Sequence, residues 1–182
     1  MYFDSPGAIN TKDTIDLALK VAVERNIKYL VVASSTGETA KLIGNANNIN
    51  VICVTSVNGS VEPGKSRVPQ EVRSELTDLG IKVLTTTHVL SGAERGISRT
   101  FGGAYPVEII AHSLRMLSNG TKVCVEVSIM ALDAGLIPYG EPIIAIGGTS
   151  KGADTAVIIT PSHASSIFET KIHEIICKPS RY

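Results

Sequence analysis

This sequence has no tryptophan, and aromatic residues make up only 4% of it. Its core must therefore be built from Val, Ile, Leu and Ala, in a chain that is 43% hydrophobic. It also lacks an excess of either charge, with 17 basic and 17 acidic residues. A neutral chain is no general polyanion binder, and contact with nucleic acid is not expected. Cysteine is scarce: Cys53, Cys124 and Cys177 are isolated, each inside an apolar run. An odd number without CxxC spacing argues against a disulfide framework and against zinc, and leaves small buried hydrophobes in a reducing compartment. No two histidines have metal-ligand spacing, so no metal is expected. Also missing are a basic segment leading into an apolar signal core and an apolar run long enough to span a bilayer. The expectation is a cytoplasmic protein that engages no membrane, with residues 1–182 forming one domain. An apolar late strand and the weak surface charge are compatible with a homo-oligomer.

What is present is an alternation of apolar runs and amphipathic segments. Residues 13–26 put Ile15, Ala18, Leu19, Ala22 and Val23 on one helical face, with Asn10 and Thr11 as caps just before. Strand-like runs follow at 28–33, 50–56 and 81–87, with helices expected near 38–46 and 69–79. The segment 88–105 reads as a long Gly/Ser-rich loop, and 106–120 as a helix opened by Pro106. Residues 121–135 mix strand and helix signals, and helix is favoured. Late strands are expected at 142–148, 155–161 and 171–177. The link between residues 148 and 155 is too short for a crossover helix, so the last strands should include an antiparallel pair. The pattern is α/β, with a mostly parallel sheet covered on both faces.

In such sheets ligands gather beyond the carboxyl ends of the parallel strands. Four polar stretches converge there: Asn10–Thr11, Ser34 to Thr39, His88 to Gly103, and Gly147 to Thr155. The stretch Ser34-Ser35-Thr36-Gly37-Glu38-Thr39 suits a phosphate through its hydroxyls, its glycine and the start of a helix. Ordinary capping by Ser35 or Thr36 is the competing reading. In "AIGGTSKGADTA", Gly147, Gly148 and Gly152 let backbone amides face a ligand, beside Thr149, Ser150, Ala153, Asp154 and Thr155. Asp154 either accepts from a sugar or ribityl hydroxyl or closes a turn. His88, Ser91 and Gly92 open the long loop, where Arg95, Ser98 and Arg99 add further donors. Glu126 and Asp133 share a helix face as a conceivable acid pair, with solvated charges the alternative.

The segment "GSVEPGKS", residues 59–66, matches the G-x-x-x-x-G-K-[ST] pattern. Pro69 and the restriction it imposes on Val68 forbid the helix that must continue from the Gly-Lys pair, so a nucleotide site is rejected here.

Together "VVASSTGETA", "HVLSGAERGISRTFGGAYPVEI", "KVCVEVSIMALDAGLIP" and "IAIGGTSKGADTAVIITPSHA" resemble a stand-alone family related to the pyruvate kinase C-terminal domain. The resemblance implies a three-layer α/β/α sandwich with a mixed sheet. It also implies bound flavin mononucleotide (FMN) and no firmly assigned reaction, kinase chemistry not being carried over. On that resemblance Ser35, Thr36, Gly37 and Thr39 would hold the phosphate. The 147–155 turn and His88 to Ser91 would line the ribityl chain and ring, with His88 the best proton donor. A phosphorylated small molecule is thus the expected partner, the alternative to flavin being a sugar phosphate sensed without catalysis.

Overall fold

The computed structural model describes residues 1–46 and 48–181. A short strand β1 (Tyr2–Phe3) leads through a 3-10 turn into α1 (Thr11–Glu24). Then come β2 (Tyr29–Ala33), α2 (Glu38–Ile43), β3 (Asn50–Val54), α3 (Gln70–Asp78) and β4 (Lys82–Leu84). Three helices follow in succession: α4 (Ala93–Phe101), α5 (Pro106–Arg115) and α6 (Asn119–Asp133). The chain closes with β5 (Ile143–Gly147), β6 (Thr155–Thr160) and β7 (Lys171–Pro179).

These strands form one seven-stranded sheet in the order β1-β7-β6-β5-β2-β3-β4. Strands β5, β2, β3 and β4 are mutually parallel, while β6 runs antiparallel to both β5 and β7. The expected mixed α/β sandwich is therefore what forms. The short 148–154 connection makes the β5–β6 pair antiparallel, as its length required. Alternation along β2 sorts the core, since Leu30 and Val32 face one layer and Val31 the other. The first layer packs Ile15, Ala18 and Ala22 of α1 with Ala40 of α2 and Leu76 of α3. The second is built on α6, which is buried from Cys124 through Leu132. That all-round burial explains why residues 121–135 carried a strand-like composition: the helix has no solvent face to fill with charge. The cysteines are free and buried, and desolvation pushes the Cys53 thiol up to about 12. Among the described residues no helix is long and apolar enough to cross a membrane.

Two expectations fail. The 88–105 stretch is not a continuous loop, because α4 occupies its centre. Glycines at 92, 96 and 102–103 hid that helix, which is fixed by tertiary contacts: the Glu94 carboxylate accepts from Glu108 N–H at 3.1 Å, and Ser98 Oγ donates to Glu108 Oε1 at 2.7 Å. The helix expected over 106–120 ends at Arg115. Ser118 caps the next helix, accepting from Thr121 N–H at 2.9 Å, so Gly120 lies inside α6 rather than after a helix end.

Leu30 is fully buried on the central strand β2. Leu30→Ala is expected to cost about 2–5 kcal/mol of unfolding free energy in a urea titration, the usual range for such a cavity.

Candidate functional site

Strands β2 to β5 end at one edge of the sheet, and antiparallel β6 begins there. A cavity of about 690 Å³ opens at that edge. Its lining comes from three of the sequence-predicted stretches: Thr11 at the start of α1, Ser34 to Thr36 with Thr39, and Gly148 with Gly152. Ala8, Ala33, Leu42 and Val123 add apolar wall.

The β2–α2 connection divides its labour. Ser34 is buried, and its Oγ accepts from Thr39 N–H at 3.1 Å and Ala40 N–H at 3.4 Å. It is therefore Ser34, rather than Ser35 or Thr36, that caps the helix. Ser35 and Thr36 stay exposed on the cavity wall, and the N–H groups of Ser35, Thr36 and Glu38 find no acceptor among the described residues. Gly37 has φ of 90°, and a Cβ there would stand 2.7 Å from Val72 Cγ1. The glycine is demanded by α3 packed behind the loop, and it does not line the cavity.

The β5–β6 turn is a built frame. Asp154 is fully buried; its Oδ2 accepts from Gly7 N–H at 2.9 Å and Thr149 N–H at 3.1 Å, and its Oδ1 accepts from Thr155 Oγ1 at 2.8 Å. Thr11 Oγ1 accepts from Ala153 N–H at 3.0 Å. Gly152, at φ 71°, lies so close to α1 that a Cβ would meet Thr11 Oγ1 at 2.2 Å. Asn10 donates to the Ser5 carbonyl at 2.7 Å. Asn10, Gly147, Ala153, Asp154 and Thr155 thus hold the frame, while Thr11, Gly148 and Gly152 face the cavity. Thr149 Oγ1 is buried with no hydrogen-bond partner among the described residues, a polar atom left over in this turn.

Charge at the cavity comes from Arg67, Lys151 and Glu38. Glu38 pairs with Lys41 at 3.7 Å. The side chains of Arg67 and Lys151 have no hydrogen bond or ion pair among the described residues. Neither was singled out from sequence. Lys151 sits inside the glycine turn, where its position was a usable signal. Arg67 belongs to the loop set aside with the P-loop lookalike. That loop folds on itself, with Gly59 N–H on the Lys65 carbonyl at 2.9 Å, and α3 begins only at Gln70. Arg67 reaches the cavity because its neighbour Val68 is buried against the Gly37 turn.

His88, Ser91 and Gly92 stand outside the lining. The His88 ring lies 3.4 Å from the Thr55 carbonyl and 3.9 Å from Glu126 Oε2. Glu126 is instead the partner of buried Lys122, and Asp133 is hydrogen-bonded to the His163 ring at 2.6 Å, so the two carboxylates of the conceivable acid pair go to separate partners. Burial lowers the Lys122 ammonium against the pull of Glu126.

A family model described as "Pyruvate kinase, alpha/beta domain" matches residues 12–159. Solved structures similar to this chain include three of pyruvate kinase from Cryptosporidium parvum. One is 19% identical over 86% of this chain and 24% of that one, with a TM-score of 0.43. A second is 17% identical over 86% and 23%, with a TM-score of 0.39. The third, a complex with ADP, is 16% identical over 86% and 24%, with a TM-score of 0.40. The chain thus spans about a quarter of the length of these proteins.

Removing the Asp154 carboxyl strands the Gly7 and Thr149 donors. Asp154→Ala is expected to lower stability in chemical denaturation by about 1–3 kcal/mol for each buried donor left unpaired.

Proposed function

The chain belongs to the pyruvate kinase alpha/beta-domain family, and from that premise we propose that its sheet-edge cavity binds a phosphorylated small molecule, with FMN as the occupant. The observation that carries this reading is the pair of uncommitted cations, Arg67 and Lys151, on a cavity that also presents the hydroxyls of Ser35, Thr36 and Thr39. Free N–H groups at Ser35, Thr36 and Glu38 complete a donor set of the kind that holds a phosphate dianion, charge-assisted bonds being shorter and stronger than neutral ones.

The flavin fits what the cavity offers. About 690 Å³ lies within the usual range for cofactor sites, about 300–1,000 Å³. Ala8, Ala33, Leu42 and Val123 supply an apolar surface for a ring, and Thr11 with the Gly148–Gly152 turn supplies polar partners for a ribityl chain. Bound there, FMN would bring redox chemistry of its own, and this chain would supply position and electrostatics. The residues at the cavity include no histidine, so His88 is given no role at the ligand.

The rival occupant is a sugar phosphate, for which the same hydroxyls and cations would serve and the apolar wall would stay unused. Thermal shift separates the two, since a ligand at 100 times its Kd adds about 2.7 kcal/mol to the folded state. The proposal expects FMN to raise Tm more than any sugar phosphate at equal concentration. A larger rise with a sugar bisphosphate transfers the site to that ligand, and no rise with either removes the proposal. Arg67→Ala combined with Lys151→Ala is expected to weaken FMN at least about tenfold, because a hydrogen bond to a charged group contributes roughly 1.5–3 kcal/mol. Fluorescence quenching of the flavin measures this directly, and unchanged affinity contradicts the assignment.

A further inference from the structure

A second, smaller cavity lies on the opposite helical layer, between α4, α5 and the end of the β4–α4 connection. It measures about 170 Å³ and has Leu90 and Ala111 as its apolar floor. Arg95 of α4, with His112 and Arg115 of α5, stands around it. Neither guanidinium has a carboxylate or hydrogen-bond partner among the described residues. The nearby acids are already engaged. Glu108, the one carboxylate on the wall, accepts from Ser98 Oγ at 2.7 Å. Glu126 accepts from Leu90 N–H at 3.0 Å and is ion-paired with Lys122 beneath. The charges of Arg115 and Arg95 also act against the Lys122 ammonium from this side. Against two guanidinium groups the wall sets the single carboxylate of Glu108, so the cavity keeps an excess of positive charge that an anion relieves.

We propose that this Arg95–His112–Arg115 cavity is a second ligand site, one that takes a small oxyanion, a phosphoryl or carboxylate group held between the two guanidinium forks. Arginine suits this task because its planar fork meets an oxyanion through two parallel bonds. The cavity has the volume for such a group and not for a nucleotide or flavin. Its residues are distinct from those of the sheet-edge cavity, so the proposal stands independently of the flavin reading.

The test is an amide NMR titration of the whole chain at constant ionic strength, with inorganic phosphate in one arm and acetate in the other. Saturating shifts are expected at Leu90, Ala111 and His112 in at least one arm, and the arm that saturates identifies a phosphoryl or a carboxylate site. In Arg95→Gln/Arg115→Gln these midpoints should move up at least tenfold, while any response at Ser35 and Thr36 keeps its wild-type midpoint. Exposed Arg95 alone, replaced by Gln, should give a smaller rise in a spectrum otherwise unchanged, which guards against loss of fold. No saturating shift at those three amides in either arm, or midpoints that the substitutions leave unmoved, overturns the proposal.

Discussion

One carboxyl group, that of Asp154, ties together segments far apart in the chain. It accepts from Gly7 at the entrance to α1, from Thr149 within the turn, and from Thr155 at the start of β6. A polar group buried this completely is tolerable only when it is hydrogen-bonded, and here two backbone N–H groups and a hydroxyl donate to it. The bond to Gly7 presses the start of α1 onto the β5–β6 turn, and the Thr11–Ala153 bond locks the same contact. Gly152 has no room for a side chain as a result. The cavity exists because that frame is rigid on one side and Ser34 fixes the β2–α2 turn on the other.

The electrostatics follow from what the frame leaves unused. The capping requirement of α2 is met by Ser34, so the hydroxyls of Ser35 and Thr36 are free for something outside the chain. Asp154 is consumed by structure and presents no carboxylate to the cavity. Glu38, paired with Lys41, is then the carboxylate that the cavity sets against Arg67 and Lys151, and the two cations outnumber it in favour of an anionic ligand. The smaller cavity repeats the logic on the other helical layer: its acids are committed to Ser98, Leu90 and Lys122, and its arginines are not.

Much of this was legible in the sequence. Alternating apolar runs and amphipathic helices specified the sandwich, and the short 148–154 link specified the antiparallel pair. The loops at 34–39 and 147–155 were found because hydroxyls and glycines at strand ends have few other uses. Their internal roles were not legible, since whether a serine caps or faces a ligand depends on sub-ångström placement. Gly37 reads in the sequence as a phosphate glycine, while its positive φ and the Val72 side chain of α3 behind it are reasons for a glycine that no local pattern encodes. Helix α4 was missed because its stability comes from Glu94 and Ser98 reaching Glu108, contacts that no local propensity encodes. Arg67 was missed because its loop was judged as a motif rather than as a neighbour of Val68.

The central claim is that the sheet-edge cavity holds a phosphate beside Arg67 and Lys151. A crystal structure of the protein grown with FMN tests it most directly. The account predicts phosphate density within hydrogen-bond distance of Ser35 or Thr36 and of one of the two cations, with the ring against Leu42 and Val123. Flavin bound at any other surface, or a cavity that holds only solvent at saturating FMN, would contradict it.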